Sequence, residues 1–348
     1  MEEENGLKTY CVTGATGYIG SWLVKSLLQR GFKVHATIRN LENASHFIKS
    51  WKGGDRLSLF KADLRDDGSF DEAVRGCAGV YHVAASMEFG VPATENLDSY
   101  IKNEIMDPAI KGVINILTSC LKTDTAKRIV FTSSVSTLTA KDSSGGWKPK
   151  VDESCQTPVK RVLETKANGW VYVLSKLLTE ETAFQFAKEN GIDLVSVITT
   201  TVGGSFLTPT VPGSIRVILS PVTGDPKLLP ILEAVNSRMG SIALVHIVDI
   251  CNAHMFLMEH PKAEGRYLCC TNSCAMSELV EHLSREWSCV ETQRRFDKKQ
   301  HHDSVPAEIS SKKLRDLGFS YNYSIQEIIQ HTVGICKDYG FLPVIYDP

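Results

Sequence analysis

Hydrophobic positions fall into two alternating rhythms from the start of the chain. Residues 7–13 form a short apolar run of strand length, residues 21–30 carry apolar side chains at helical spacing, and residues 33–38 form a second strand beyond the break at Gly31. The succession then repeats. Residues 57–61 and 79–83 read as strands, 70–77 as a short helix and 108–121 as a long one. Residues 128–133 and 193–198 read as buried strands on either side of a helix near 172–190. Strands separated by helices of ten or more residues predict a parallel sheet covered on both faces.

The fold expected is therefore α/β: a Rossmann-type doubly wound parallel sheet over residues 1–200, with a smaller α/β C-terminal lobe over 201–348. Beyond residue 200 the alternation loosens, and Pro209, Pro212, Pro221, Pro226 and Pro230 punctuate short elements. The apolar run 242–245 with the helical pattern 249–259 predicts a return to the main sheet, so that about 240–265 belongs again to the first domain.

Composition narrows the function class. The 348 residues are 43% hydrophobic and 22% charged, enough to bury a full core, and a formal charge of -2 offers no global field for nucleic acid or an anionic membrane. A small molecule is the expected partner, taken up by a monomer or weak homodimer. Ten cysteines are spread along the chain without a C-x-x-C pair, which predicts reduced thiols in the cytoplasm. The acidic start predicts no targeting leader, and no apolar run approaches a membrane span. His282, the pair His301–His302 and the group Cys269, Cys270 and Cys274 lack the spacing of a metal site, so no metal is expected.

Glycines at 14, 17 and 20 stand in Val12-Thr13-Gly14-Ala15-Thr16-Gly17-Tyr18-Ile19-Gly20, between the first strand and the first helix. The first glycine makes the turn, the second lets backbone approach a pyrophosphate, and the third packs helix on strand, while the helix N-terminus faces the phosphates. Gly14, Thr16, Gly17, Tyr18, Ile19 and Gly20 are thus expected around a dinucleotide. The second strand ends in Thr37-Ile38-Arg39 with no acid at its tip. NAD sites usually offer a carboxylate there, so Arg39 points to the 2′-phosphate of NADP, used as NADPH. Asp63 and Leu64, at the end of the third strand, fall where an adenine would lie; a helix N-cap is the other role open to Asp63.

Tyr172 and Lys176 form a Y-x-x-x-K on a predicted helix, facing the same way. A neighbouring ammonium draws a tyrosine toward the working pH, and Ser134, at the carboxyl end of the fifth strand, is placed to hold a substrate oxygen. Ser134, Tyr172 and Lys176 together predict a reductase site.

The order TGATGYIG, FTSS, YVLSK resembles the extended short-chain dehydrogenase/reductase family, and within it the plant dihydroflavonol, anthocyanidin, vestitone and cinnamoyl-CoA reductases. The likeness covers nearly the whole chain, through Gly169-Trp170-Val171-Tyr172, residues 240–250 and Gly265-Arg266-Tyr267-Leu268-Cys269-Cys270. It implies Tyr172 as proton donor, Lys176 as its tuner and ribose anchor, and Ser134 as the oxygen-binding partner. It also implies Val83 and Ala84 against the nicotinamide ribose, and Thr199 and Val202 beside the nicotinamide. Two positions depart from the family. A proline usually stands where Thr199 or Thr200 is, and Thr139 replaces the Asn or Asp that dihydroflavonol reductases set against the flavonoid B-ring.

A planar, flavonoid-like substrate is expected between the lobes, against Met87, Phe89, Phe206 and Leu207. The reaction expected is NADPH-dependent reduction of an anthocyanidin to a flavan-3-ol. Dihydroflavonol 4-reduction, or reduction of another plant aromatic ketone or aldehyde, comes next. A nucleotide-sugar epimerase recycling bound NAD and a non-catalytic NADP sensor remain open from other classes.

Overall fold

The computed structural model describes residues 7–85, 96–142, 144–287 and 307–342. A seven-stranded parallel sheet forms its centre. Its strands in chain order are β1 (Thr9–Thr13), β2 (Lys33–Ile38), β3 (Leu57–Lys61), β4 (Gly79–His82), β5 (Arg128–Ser134), β7 (Asp193–Thr199) and β10 (Gly265–Cys269). The spatial order is β10-β7-β5-β4-β1-β2-β3. It reverses between β1 and β4, the switch point at which such sheets bind ligands outside their carboxyl ends.

Successive strand residues feed opposite faces. Val12, Tyr81, Val130 and Val195 join one core with Leu23, Val24 and Leu27 of the helix Tyr18–Gln29 and Ile250, Ala253 and Leu257 of the helix Ile247–Glu259. Their neighbours Cys11, Val80, Ile129 and Leu194 pack on the other side against Ile116 and Leu117 of the helix Asp107–Leu121 and Ala183 and Ala187 of the helix Trp170–Asn190. Both faces are covered, which is why these strands are continuous apolar runs. The nine described cysteines are free and buried.

A three-stranded sheet of β8 (Thr201–Gly203), β9 (Ile242–His246) and β11 (Asn272–Cys274) anchors the C-terminal lobe. Its core gathers Ile218 and Leu219 of the helix Gly213–Thr223, Leu279 and Leu283 of Met276–Glu286, and Ile328 and Val333 of Ile325–Asp338. A short pair of β6 (Lys150–Val151) and β12 (Glu308–Ile309) completes the strands among the described residues.

One expectation is corrected here. The run 242–245 does not rejoin the main sheet: β9 lies between β8 and β11, and the return is made by the helix Ile247–Glu259 and by β10, paired with β7. Every residue of β9 is buried, so its pattern fits a central strand of either sheet.

Asp249 and His246 secure this junction. The Asp249 carboxylate accepts from the backbone N–H groups of Asn322 and Tyr323 and from Asn322 Nδ2, at 2.9–3.2 Å. Burial pushes its pKa up, and these hydrogen bonds hold it back. His246 caps its helix by accepting from the Val248 N–H, and its ring stacks on Tyr323 at 3.7 Å.

Candidate functional site

The carboxyl ends of β1 and β4 are joined by one hydroxyl. Thr13 Oγ1 accepts from the Val83 and Ala84 N–H groups at 3.1 and 3.0 Å and lies 2.9 Å from His82 Nδ1. With two N–H groups already donated to it, the hydroxyl gives its own proton to Nδ1, so His82 is neutral. Burial, then the charge on Lys176, pushes the His82 pKa down to about 3, which agrees. Val83 and Ala84 are thereby held against the glycine loop: a Cβ on Gly14, at φ +66°, would lie 2.9 Å from the Ala84 Cα. A Cβ on Gly20 would stand 2.2 Å from the Gly14 carbonyl oxygen, so this glycine lets the helix start directly beneath the loop. The first-turn N–H groups of the helix Tyr18–Gln29 have no carbonyl within the helix and face the phosphate position.

Above the strand ends lies a cavity of about 610 Å³. Along the sheet order, Arg39 after β2 and Asp63 and Leu64 after β3 line one side. Gly14, Thr16, Gly17, Tyr18 and Ile19 line the middle with Val83 and Ala84. Ser134, Tyr172, Lys176, Thr199 and Val202 line the other side. Gly20 is not on the wall; it lies under the loop.

The lining fits a dinucleotide. Arg39 is exposed and free to turn toward a phosphate. Asp63 keeps one carboxylate oxygen on the Arg65 N–H at 2.9 Å, an Asx turn and not the helix N-cap left open by the sequence, since the next helix, Asp71–Val74, starts after Phe70; its side chain also lines the cavity. The Ser133 and Ser136 hydroxyls are buried on the wall with no protein partner, a cost that a bound polar ligand removes.

At the far side, Ser134 Oγ accepts from the Ser136 N–H at 3.1 Å and hydrogen-bonds the Tyr172 hydroxyl. Lys176 is 6% exposed, its Nζ donating to the Thr132 carbonyl at 3.3 Å and lying 6.0 Å from the Tyr172 ring centre. Burial pulls the Lys176 pKa down to about 8, against the pull of Glu180. Burial pushes the Tyr172 pKa up, opposed by its hydrogen bond with Ser134 and by the guanidinium of Arg238.

Other expected residues are not on this wall. Thr139 is 2% exposed, its N–H donating to the Cys155 carbonyl and its hydroxyl accepting from the Lys141 N–H, in a segment whose neighbours Leu138 and Ala140 pack with Met239. Phe206 packs in the core of the C-terminal lobe with its ring edge-on to Tyr339, and the Leu207 carbonyl bonds His46 Nε2. Met87 and Phe89 lie outside the described residues, as do His301 and His302.

The cavity joins the glycine loop to Ser134, Tyr172 and Lys176. The model of the NAD dependent epimerase/dehydratase family matches residues 10–270. The chain belongs to that family. It is 43% identical over 341 residues to a Ginkgo biloba protein provisionally named anthocyanidin reductase, covering 96% of each chain. It is 40% identical over 341 residues to the bifunctional dihydroflavonol 4-reductase/flavanone 4-reductase of Malus domestica, covering 97% of this chain and 92% of the relative. The vestitone reductase structure from alfalfa (Medicago sativa L.) superposes with a TM-score of 0.78 at 30% identity, covering 96% of this chain and 99% of that one. The protein is thus a family oxidoreductase with a nicotinamide cofactor, and its relatives are plant flavonoid reductases.

Of the two positions at which the resemblance implies a proline, Thr200 is held by bonds that need its own N–H and hydroxyl. Its N–H and Oγ1 both donate to the Cys269 carbonyl, at 3.4 and 3.0 Å, tying β10 to the cavity wall. A proline could make neither bond.

Arg65, Asn168 and Arg238 also line the cavity, as do Pro212 and Val217 from the C-terminal lobe; sequence reasoning assigned none of them. Arg65 follows Asp63 by two residues, and this second cation near the strand ends was the one detectable signal. Replacing Arg39 with Ala is expected to weaken NADPH binding by about tenfold, or about 1.4 kcal/mol, and to leave NADH binding unchanged. Fluorescence titration with both cofactors checks this, and an equal loss for the two would remove Arg39 from 2′-phosphate recognition.

Proposed function

We propose that the protein is an NADPH-dependent reductase of a flavonoid-like substrate, most nearly of anthocyanidin reductase type. The observation that carries the reading is the hydrogen-bonded Ser134–Tyr172 pair beside buried Lys176, on the same cavity as the glycine loop. The likeness to the Ginkgo protein favours the anthocyanidin class. The Malus relative favours dihydroflavonol 4-reduction as the second reading.

In this mechanism the glycine loop and the helix N-terminus beneath it hold a pyrophosphate, and Arg39 holds the 2′-phosphate. Thr13 fixes Val83 and Ala84 against the ribose. A bound nicotinamide supplies a hydride. Ser134 aligns the substrate oxygen, and Tyr172 donates the proton that balances the hydride. Lys176 spends one hydrogen on Thr132 and has two more for ribose hydroxyls. Residues 1–200 with the helix Ile247–Glu259 and β10 serve the cofactor and the rest mainly the substrate, in a monomer or weak homodimer. The nine buried free thiols support a reducing, cytoplasmic setting.

The test is NADPH consumption against anthocyanidins, dihydroflavonols, isoflavanones and simple aromatic aldehydes, with products identified. Flavan-3-ol from an anthocyanidin is expected. Turnover confined to dihydroflavonols selects the second reading, and none on any flavonoid overturns both.

A further inference from the structure

Arg238 is a cation that the Ser-Tyr-Lys set does not require. It stands in the last turn of the helix Leu229–Met239 of the C-terminal lobe, yet its side chain lines the cavity with Tyr172 and Ser134. Its backbone is fixed: the Arg238 carbonyl accepts from the Ala140 N–H at 3.1 Å, on the segment that continues from Ser134, and Met239 packs with Leu138 and Ala140. The side chain is mostly buried, and its Nε has no hydrogen-bond partner. A buried guanidinium with a spare donor is costly unless something nearby becomes negative.

We propose that Arg238 is a positioning residue of the reaction centre, its guanidinium holding the Tyr172 oxygen as that oxygen becomes a phenolate. The inference rests on Tyr172 being the proton donor. When the Tyr172 O–H bond breaks, the proton goes to the substrate, the electron pair stays on the tyrosine oxygen, and a proton from water later restores the phenol. Arg238 opposes the charge present between those two events.

The surrounding ionisable groups leave Arg238 this task. Lys176 shares the helix of Tyr172 but turns its Nζ to the Thr132 carbonyl. Glu180, one turn further, is bound to Arg266. Arg161, on the helix Val159–Thr165 packed beside it, bonds the Asp142 carbonyl, and Lys160 there lies near Glu164. Glu104, in the turn Ile101–Met106, lines the same cavity, as do Tyr18, Arg39, Asp63 and Arg65 near the cofactor loop. Burial lowers the pKa of Arg238 to about 10 and proximity to Tyr172 raises it, the reciprocal of the effect on the tyrosine.

The experiment places 3-fluorotyrosine at position 172 of the full chain and follows ring ionisation by fluorine NMR, which needs no substrate. In Arg238→Gln the midpoint is expected to rise by about one pH unit, and Arg238→Lys, which keeps the charge, should recover at least half of that. With unmodified Tyr172 and any substrate the panel provides, the alkaline limb of kcat should move upward in R238Q while NADPH affinity stays within twofold. An unmoved midpoint in folded R238Q, or an R238K midpoint equal to that of R238Q, overturns the inference. A raised substrate KM with an unmoved midpoint also overturns it and makes Arg238 a substrate contact. Should R238Q be unstable, Arg238→Met, with a similar apolar stem, decides by the same midpoint. Absence of flavonoid turnover leaves the fluorine titration standing, so failure of the two readings is separable.

Discussion

Phenylalanine in place of Tyr172 is expected to lower kcat by about 10²–10⁴-fold, the usual contribution of a positioned general acid. Only the hydroxyl is removed. The ring still fills its place on the cavity wall, so NADPH affinity should stay within about twofold and the fold should be unaffected. Ser134 keeps its bond from the Ser136 N–H and remains able to hold a substrate oxygen, so substrate affinity should change little. Single-turnover rates with prebound NADPH measure the chemical step directly. Turnover at the wild-type rate would remove Tyr172 from proton transfer, and it would favour a cofactor-binding protein whose activity lies elsewhere. The effect should exceed that of Arg238→Gln, because that change weakens the acid whereas this one removes it.

The lining of the cavity beside β1, β2 and β3 was legible in the sequence because its placement is local. Gly14, Arg39 and Asp63 stand within two residues of the ends of β1, β2 and β3, and a residue just past a parallel strand faces the ligand edge whatever happens elsewhere. Strands 33–38 and 57–61 matched to the residue, since each is bounded by a turn signal. The substrate half was less legible because it depends on how the lobes meet. An offset of five residues past Ser134 says nothing about direction once the chain leaves the strand, and Thr139 turns into the loop core instead of the cavity. Phe206 follows β8 closely, yet the C-terminal lobe needs it for its own packing. Arg238 carries no sequence signal. It is a lone basic residue in the last turn of a helix, where a solvated side chain interacting with the helix dipole is the ordinary reading. Ser133 and Ser136 were hidden similarly, because serines at or just past a strand end read as turn chemistry until their hydroxyls are seen without partners.

Replacing Arg266 with Met is expected to destabilise the fold by about 3–5 kcal/mol, the cost of leaving a buried carboxylate without its cation. Arg266, on β10, reaches across β7 to Glu180 of the helix that carries Tyr172 and Lys176, at 2.9 Å, with Glu180 only 3% exposed. The same guanidinium donates to Thr137 Oγ1 and to the Glu153 carbonyl, both at 2.9 Å, so it also ties down the chain just after Ser134. In its absence Glu180 would retain the Ser196 hydroxyl, at 2.5 Å, which satisfies one oxygen but supplies no positive charge. Lys176 is the remaining cation close enough to feel Glu180, and its pKa should rise above its present value of about 8 as the carboxylate turns its field on it. Urea denaturation measures the stability loss. The double variant Glu180→Leu with Arg266→Met removes both charges and should recover more than half of that loss, since a buried pair exchanged for apolar groups is often neutral. A single-variant loss below about 1 kcal/mol, or a double variant no more stable than the single, would show that the pair is solvated and does not anchor the catalytic helix.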